Sequence, residues 1–553
     1  MKRRITTVLA GLLLFAAQAY AQQKTITGKV TNELGDPMAG VQIVVKGTSV
    51  GTLTNAEGFY SIRAGTGQTL QFTFIGTGTV ERVVGVSDAI NVQLKMSAIS
   101  LEAVEATALG QTAARRSLGS SQQSVAGVEI ARAQKENWAN ALQGRVAGVE
   151  VVSNSGVPGA SSQILLRGVS SVSGNNQPLI VVDGLPVDNK VQHSNQLFPS
   201  LFENRGLDFT NRAADFNPED IESLTVLKGP EAAALYGIDA ANGAIVITTK
   251  RGKPGMSGFE YSNSVKVEYP GRLPKIQNVY GPSALGSATW LFYGNPIPQT
   301  ATHYDNIGGF FNNAVTQRHN LAFSGASADS RITYRLSGGL QKQQGVIPNA
   351  QWDKINISAS TQTVANEWLR ADAVLQYSTD FNNQPFKGAG GPLLGLLAWP
   401  DTIDATNWLT EDGRRARVTT LSAASEVDNP YFSVNRNDTE SRTNRVNVNV
   451  GVTLLPVSWG NLRTQVGVDQ YSQRIQILRD PESALGATSN GILDQSTDVT
   501  RNITIQSLLN FNWYAVGNDI GITPMVGGSF VDQRSDINGA TGSFFLEPTF
   551  VAM

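Results

Sequence analysis

One short motif in the chain has the residue types of a catalytic nucleophile. Residues 47–51 read Gly-Thr-Ser-Val-Gly and fit the G-x-S-x-G pattern of serine hydrolases. That chemistry needs a strained turn between a strand and a helix, with a histidine partner. Here the motif lies between two runs that both have strand character, and no histidine is near in sequence. We therefore interpret it as a turn.

Metal-ligating residues are present but are not spaced as a site. The three histidines are scattered and form no i,i+4 pair: His193, His303 and His319. Four acidic residues of one polar stretch could bind Ca²⁺ through their carboxylates, but their spacing is not that of an EF-hand: Asp401, Asp404, Glu411 and Asp412. The chain has no cysteine, which excludes disulfides and thiolate ligands. The sequence therefore predicts no enzyme, no cofactor and no resident metal.

Composition favours β structure and disfavours nucleic-acid binding. Charged residues make up 16% of the 553 residues, against about 25% in an ordinary soluble domain. Glycine is abundant, with 55 residues, and the formal net charge is −2. That charge gives no general attraction for nucleic acid. The length indicates several domains or one very large barrel.

The first 21 residues have the pattern of an export signal. Lys2, Arg3 and Arg4 precede an apolar run from Val8 to Ala17, and residues 19–21 form a small-x-small cleavage site. No later run reaches the ~18 apolar residues that a membrane-crossing helix needs. We expect an exported protein whose residence in a membrane would have to come from a barrel.

Residues 22–97 alternate short β runs with turn clusters of Gly, Pro, Asn and Asp. Strands at that spacing are typical of a small antiparallel sandwich. The block resembles the carboxypeptidase-regulatory-like domain, a transthyretin-like sandwich, and no peptidase residues accompany it. The following stretch, residues 98–120, loses the apolar periodicity and reads as an extended tether. A helix over its SLEAVEA segment is the alternative on propensity.

Residues 121–252 read as a compact mixed α/β domain with many glycine turns. Short helices are predicted near Trp138 to Val146 and Glu231 to Tyr236, and a hairpin is predicted at Asp183-Gly184. The glycines matter because only glycine takes a positive φ without cost, which lets a small domain reverse direction repeatedly.

From residue 253 onward the chain alternates apolar and polar residues over long segments. The clearest runs from Arg445 to Leu454, where Val446, Val448, Val450, Val452 and Leu454 share one face. Segments of about 9 to 11 such residues suit tilted strands that cross an outer membrane. Similar segments are 331–340, 353–361, 369–377, 462–470 and 503–513. Strands of a soluble sandwich also alternate, so periodicity alone leaves that alternative open.

The connections and aromatic residues fit the same interpretation. Stretches 325–330 and 456–461 are short enough for periplasmic turns, whereas 378–441 is long and polar and suits an extracellular loop. Aromatic residues near segment ends could form the interfacial girdles of a barrel. They are Trp352, Trp368, Tyr377, Trp459, Tyr471, Trp513 and Tyr514.

Several specific strings occur in one order: LQGRVAGVEV, LRG at 166–168, PLIVVDGLPV, DIESLTVLKGPEAAALYG and ANGAIVITTKRG. With the sandwich, the tether and the alternating segments, they resemble the SusC/RagA type of TonB-linked outer-membrane transporter. The resemblance implies a mainly β fold, in which residues 121–252 are the α/β plug and residues 253–553 form an incomplete transmembrane antiparallel β-barrel.

The resemblance also implies function and partners. It implies import of oligosaccharides or peptides, powered by TonB, with a SusD-like surface lipoprotein as lid. The barrel would contact outer-membrane lipid, and the sandwich and tether would lie in the periplasm. The TonB box would be Leu101, Glu102, Ala103, Val104, Glu105, Ala106 and Thr107. TonB would capture it by adding a strand.

The quoted strings mark eight residues as structural in the plug: Arg167, Gly168, Asp183, Gly184, Gly229, Tyr236, Gly237 and Gly243. Among them, Arg167 and Asp183 are candidates for a buried ion pair, with ordinary solvation as the alternative.

The length after the plug departs from the family pattern. Some 300 residues supply only about half of a wall of about 22 strands, so we expect the sequence to be the amino-terminal portion of a longer transporter. Two alternatives remain open: a TonB-linked receptor that only signals, and a secreted glycan-binding or adhesion protein built of soluble sandwiches.

Overall fold

The computed structural model describes most of the chain from Gln23 onward. The described residues are 23–32, 35–46, 48, 50–74, 80–94, 104–106, 112–114, 122–172, 175–190, 207–253, 257–281, 294–457, 459–511, 513–515, 520–522 and 524–546. They separate into two compact units near residues 104–117. The signal peptide, residues 1–21, lies outside the described residues.

The first unit is the expected sandwich. Its strands are β1 (Gln23–Thr31), β2 (Gln42–Val45), β3 (Gly51–Leu53), β4 (Phe59–Gly65), β5 (Thr69–Thr73), β6 (Val80–Val83) and β7 (Val92–Gln93). Three strands form one sheet in the order β4-β1-β7, and four form the other in the order β3-β2-β5-β6. The alternating inward residues of both sheets, including Ile26, Ile43 and Phe72, form one buried core. Edge-to-face packing of Tyr60 on Phe72, with ring centroids 5.4 Å apart, adds to it.

A two-stranded sheet of β8 (Val104–Ala106) and β9 (Thr112–Ala114) lies at the boundary between the two units. The mixed domain follows. Its strands are β10 (Gln122–Ala126), β11 (Val149–Ser153), β12 (Ser162–Leu166), β13 (Leu179–Val182), β14 (Leu185–Val187), β15 (Ile221–Leu227) and β16 (Ala244–Thr249). Its α-helices are α1 (Gly127–Arg132) and α2 (Pro230–Tyr236), and its 3-10 helices are Trp138–Leu142, Arg212–Asp215, Pro218–Asp220 and Ile238–Ala240.

Five strands of this domain form a sheet in the order β10-β15-β16-β13-β14, and β11 pairs with β12. The predicted helix over Trp138 to Val146 is shorter than expected and is a 3-10 helix. Trp138 is fully buried in the domain core with Leu142 and Ile164, so packing rather than helix propensity fixes this segment.

The remaining chain forms one antiparallel wall of nine strands. They are β17 (Gly258–Glu268), β18 (Ala314–Ala326), β19 (Ile332–Gln344), β20 (Gln351–Asn366), β21 (Leu369–Asn383), β22 (Asp438–Val457), β23 (Gly460–Arg479), β24 (Ile492–Phe511) and β27 (Met525–Ser543). Each pairs with the next, and a small hairpin of β25 (Trp513–Ala515) and β26 (Ile520–Ile522) joins β24 to β27. Among the described residues the wall is open, with β17 and β27 as its two edges.

The alternation predicted on the sequence is realised in the wall. On β22, Val446, Val450 and Val452 point outward and are 38–43% exposed, whereas Asn447 and Asn449 are buried on the inner face. The inner face meets the mixed domain instead of a second sheet. That arrangement does not match the soluble-sandwich alternative.

The strands are longer than the predicted 9 to 11 residues, reaching 20 in β22. The backbone hydrogen bonds between strands continue into segments where the outward residues are polar. The apolar–polar alternation is lost there, so it does not predict these parts of the strands. For the same reason β17, β18 and β27, which contain polar outward residues and glycines, were not predicted.

The wall connections differ at its two ends. Tight turns join β18 to β19, β20 to β21 and β22 to β23, as expected for the stretches 325–330 and 456–461. The long connections lie at the opposite end, after β17, β21 and β23.

The longest connection covers residues 384–437, so it is shorter than the expected stretch 378–441, and it contains helices that were not predicted. It holds α4 (Pro392–Ala398), α5 (Pro430–Arg436) and 3-10 helices Gly388–Gly390 and Ala423–Ser425. With α3 (Asn306–Phe310) it shares a small apolar core that includes Leu396 and Val434. A last 3-10 helix, Ala487–Ser489, lies between β23 and β24.

Candidate functional site at the plug and wall interface

The Asp183-Gly184 hairpin attaches the mixed domain, which we call the plug, to the wall. Both residues have positive φ, 49° and 93°, as a tight two-residue turn between β13 and β14 requires. The Asp183 carboxylate accepts hydrogen bonds from the Thr249 amide at 3.0 Å and hydroxyl at 2.7 Å. The Asp183 carbonyl accepts hydrogen bonds from Asn449 Nδ2 and Gln465 Nε2 of the wall, at 3.1 and 3.2 Å. One turn therefore stabilises the plug internally and binds the wall.

The expected pairing of Arg167 with Asp183 is wrong. Arg167 is exposed, and the cation nearest to Asp183 is Arg251, whose Nη2 lies 3.8 Å from Asp183 Oδ1. Arg251 also donates to Asp372 at 3.1 Å, and Arg463 donates to the same carboxylate at 3.0 Å. The cations that face Asp183 and Asp372 are Arg251, at the end of the plug, and Arg463, on the wall. Both arginines are distant in sequence from these carboxylates, so the sequence did not predict these ion pairs.

Arg445 is the centre of the interface. Its side chain is 2% exposed, and it donates two hydrogen bonds of 2.8 Å to the two carboxylate oxygens of Asp469 on the neighbouring strand. The same guanidinium donates to the main-chain carbonyls of Arg212 at 2.8 Å and Asp188 at 3.0 Å, both in the plug. A planar fork of five donors suits this combination of carboxylate and carbonyl acceptors.

Other charges surround Arg445 in the same buried region. Arg445 Nη1 lies 3.2 Å from Asp215 Oδ2, and Arg212 Nη1 lies 3.3 Å from the same oxygen. Lys354 of the wall donates to the Ala214 carbonyl. Asp380 lies 4.0 Å from Arg212. Three cations thus face the carboxylates of Asp215, Asp380 and Asp469. Buried charges without partners are strongly unfavourable, so the plug segment around Arg212–Asp215 is matched to the wall.

Two aromatic residues expected at the outer interface belong to this inner site. Trp352 is 1% exposed and Tyr471 is 2% exposed, and both lie on the inner face. The Tyr471 hydroxyl donates to Asp188 Oδ2 at 3.2 Å, while the Asp188 amide donates to Asp469 at 3.0 Å. Trp368 and Trp459 are each about half exposed on the outside. The side chains of Trp513 and Tyr514 lie outside the described set. Aromatic type alone does not indicate which face of a strand a residue occupies.

The plug also contacts the end of the wall that carries the long connections. Asn382 and Gln384 both donate to the Pro158 carbonyl at 3.3 Å. Gly159 packs so closely that a Cβ would lie 2.1 Å from Asn382 Nδ2. Lys387 lies 3.4 Å from the Asp208 carboxylate, and burial lowers the pKa of Lys387 although Asp208 acts in the opposite direction. The plug surface around residues 155–160 and 207–210 therefore lies under the long connections.

The other residues marked as structural lie at turns of the plug. Gly168, Gly229, Gly237 and Gly243 all have positive φ. Gly243 has a further constraint, because a Cβ would lie 2.7 Å from the Leu227 carbonyl oxygen. Tyr236 ends α2 beside the apolar cluster that contains Leu227 and Ala232.

Only part of the expected TonB box is described. Val104, Glu105 and Ala106 form β8, which contradicts a helix at these three positions. Leu101, Glu102, Ala103 and Thr107 lie outside the described residues, as do the side chains of Val104–Ala106. The backbone of β8 is extended.

The candidate nucleophile motif and the described histidines do not come together in a common site. Gly47 and Ser49 lie outside the described residues, while Thr48 donates to the Val45 carbonyl as in a turn. His303 contacts Asp401 at 2.6 Å, and His319 contacts Tyr261 at 2.9 Å.

His193 lies outside the described residues, and Asp404 and Asp412 bond to neighbouring threonines. Across the portion of the chain with assigned structure, no three His, Cys, Asp or Glu residues are grouped as metal ligands. In that same portion, none of the helices has the length and apolar character needed to traverse a bilayer.

Family models and solved structures show which domains and which fold this chain resembles. The family model of the TonB-dependent Receptor Plug Domain matches residues 114–244, and that of the CarboxypepD_reg-like domain matches residues 26–105. A chain of the RagAB peptide importer in its open-open state superposes with a TM-score of 0.61 at 20% identity, covering 81% of this chain and 51% of that one. The RagAB closed-closed state gives 0.58 at 21% identity, covering 79% and 50%. At that identity the likeness is one of fold: an incomplete barrel wall with a plug.

The relatives that are similar in sequence are TonB-dependent receptors. SusC, a TonB-dependent receptor of Bacteroides thetaiotaomicron, is 31% identical over 363 residues, which cover 65% of this chain and 34% of SusC. A TonB-dependent receptor of Formosa agariphila is 31% identical over 349 residues, covering 63% and 32%. Together with the two domain matches and the RagAB fold, these relatives confirm that the chain resembles the SusC/RagA-type TonB-dependent receptors. The match spans about a third of the length of these curated relatives.

Proposed function

We propose that the protein is a TonB-dependent outer-membrane transporter that imports oligosaccharides or peptides into the periplasm. The observation that supports this best is the way the plug is held. Wall side chains bind plug main-chain carbonyls through Arg445, Asn449 and Gln465. The neutral contacts made by Asn449 and Gln465 can be exchanged for water when a segment moves, because each one contributes only about 1 kcal/mol net.

In this mechanism the wall crosses the outer membrane with its apolar face in lipid and its long connections outside the cell. Substrate binds between those connections and the plug surface around residues 155–160 and 207–210. A SusD-like surface lipoprotein closes the site from outside. The RagAB complex is described as a peptide importer. The proposal therefore includes peptides as well as oligosaccharides as possible substrate classes.

TonB supplies the energy by capturing residues 101–107 from the periplasmic side, where the tether and the sandwich lie. Strand addition depends on main-chain hydrogen bonds, and the extended backbone of Val104–Ala106 suits that mode. A pull on this segment is transmitted to β10 and the plug sheet, which opens a path past the wall.

Deletion of residues 101–107 from the full-length protein tests the proposal. We expect uptake to be lost and surface binding of substrate to be kept. A sharper pair keeps the length constant. Val104→Pro with Ala106→Pro removes two main-chain donors and should abolish uptake, whereas Val104→Thr with Ala106→Ser keeps those donors and should preserve it. Unchanged uptake in the deletion variant would overturn the assignment.

A further inference from the structure

Two arginines face each other on the outside of the wall. Arg442 on β22 and Arg474 on β23 are direct cross-strand partners, and both side chains are exposed. Like charges directly opposite each other destabilise an antiparallel pair. An arrangement of this kind calls for a compensating anion.

The surrounding protein supplies only part of that compensation. Glu440 Oε2 lies 3.4 Å from Arg442 Nη2, and the Arg442 guanidinium lies 4.8 Å from the centre of the Phe381 ring. Within the described residues, the side chain of Arg474 has no ion pair and no hydrogen-bond partner. The two arginines, Glu440 and Gln476 line a groove of about 230 Å³. The groove therefore carries one unbalanced positive charge.

The position of the groove indicates what could fill it. The apolar outward face of β22 begins at Val446, two outward positions from Arg442, and the groove lies on the side of the long connections. A second cross-strand pair, Arg501 and Arg534, lies next to Ile503 and Phe530 on the following strands. There Asp532 and Asp536 lie 3.7 and 3.1 Å from the two arginines, so that pair is balanced in charge, whereas the Arg442 and Arg474 pair is not.

We infer that Arg442 and Arg474 bind the phosphate of a lipid headgroup in the leaflet at the long-connection end of the wall. Guanidinium groups bind phosphate in a bidentate manner and are suited to this ligand. A phosphate held there leaves its acyl chains along the apolar face of Val446 and Val450, which a free phosphate ion cannot exploit. The inference rests on the proposed function, because that function places the wall in the outer membrane.

Lipid competition on the full-length transporter tests the inference. The purified protein is titrated with phosphatidic acid, phosphatidylcholine and inorganic phosphate, and bound lipid is counted by native mass spectrometry. We expect retention of phosphatidic acid over phosphatidylcholine, a loss of about tenfold in the double variant Arg442→Gln with Arg474→Gln, and tighter binding in Glu440→Gln. Arg331→Gln removes an exposed arginine at the opposite end and should leave lipid retention unchanged.

Three outcomes would overturn the site: equal retention of both lipids, unchanged retention in the double variant, or complete displacement by millimolar inorganic phosphate. Fractionation of the same cells keeps the two proposals apart. A transporter in the outer membrane without lipid discrimination defeats the lipid site alone, whereas a protein absent from that membrane defeats the proposed function.

Discussion

Arg445 and Arg442 lie three residues apart on β22 and have opposite environments. Arg445 is buried, with a bidentate carboxylate and two plug carbonyls as acceptors. Arg442 is 64% exposed at its side chain, and its one carboxylate neighbour is 3.4 Å away. The odd spacing puts them on opposite faces of the wall, because side chains alternate along a strand.

The difference shows where the free energy of the interface resides. A surface ion pair contributes about 0 to 1 kcal/mol, because water screens it. Removal of one partner from a buried pair costs about 3 to 5 kcal/mol, because a charge remains without compensation. The inner face therefore holds the plug through a few strongly coupled groups, whereas the exposed charges of the outer face can exchange their partners with solvent.

The largest expected effect is that of Arg445→Ala. It leaves Asp469 and Asp215 buried without their shared cation, so we expect a loss of about 3 to 5 kcal/mol in plug stability. The measurement is the urea midpoint at which the plug of the folded protein becomes cleavable by protease. Arg331→Ala removes an exposed arginine with a 3.7 Å contact to Asp329 and should change the free energy of unfolding derived from the midpoint by less than about 1 kcal/mol. Equal midpoints for the two variants would remove the distinction between the faces.

A smaller effect is expected where the chain leaves the plug for the wall. A Cβ at Gly252 would lie 2.6 Å from the backbone nitrogen and oxygen of Tyr334 on β19. Gly252→Ala must therefore displace backbone, at a cost of about 1 to 3 kcal/mol. A Cβ at Gly258 meets no atom within 4 Å, so Gly258→Ala is the matched control. Comparable urea midpoints for both variants would contradict this prediction, because they would show that the Tyr334 backbone moves away from the added Cβ without a measurable loss of stability.

The smallest expected effect concerns pH and compares two neighbouring acids of the plug. Asp220 accepts hydrogen bonds from Ser337 and Asn217, at 2.6 and 3.1 Å. Glu219 lacks equivalent compensation, and burial raises its pKa, an effect that Lys250 partly opposes.

A raised carboxyl pKa means that the folded plug favours the protonated acid. Stability should therefore fall as the pH rises from the unfolded pKa, near 4.3, through the raised value. Glu219→Gln should flatten this dependence between pH 4 and pH 7.5, as measured by the same protease midpoint, and Glu222→Gln on the exposed face should not. A profile unchanged by Glu219→Gln would contradict the role given to burial.

Local patterns predicted much of the fold. The strict alternation from Arg445 to Leu454 predicted a two-faced strand, and Asp183-Gly184 predicted a hairpin, since its residues tolerate positive φ. Both are present. The ordered connection of residues 384–437 was missed because its apolar residues pack against α3, more than 80 residues away in sequence, and no local period records that packing.

The site itself was largely hidden from the sequence. Arg445 occupies a polar position of a predicted strand, yet its residue type alone does not distinguish it from Arg442. Trp352 and Tyr471 have the residue types of a membrane interface, but they are buried under the plug. A face assignment for each strand, extended beyond the clearest segment, would have placed all three inside.

The sequence alone determined the period of the clearest wall strands, the positions of two tight turns and the order of the sandwich, plug and wall, since these depend on neighbours a few residues apart. Tertiary structure decided which charges are partners. Arg445 donates to the carbonyls of Asp188 and Arg212, which lie 257 and 233 residues earlier in the chain. A Coulombic contact depends on distance in space, so only the packing of the plug against the wall brings these groups together.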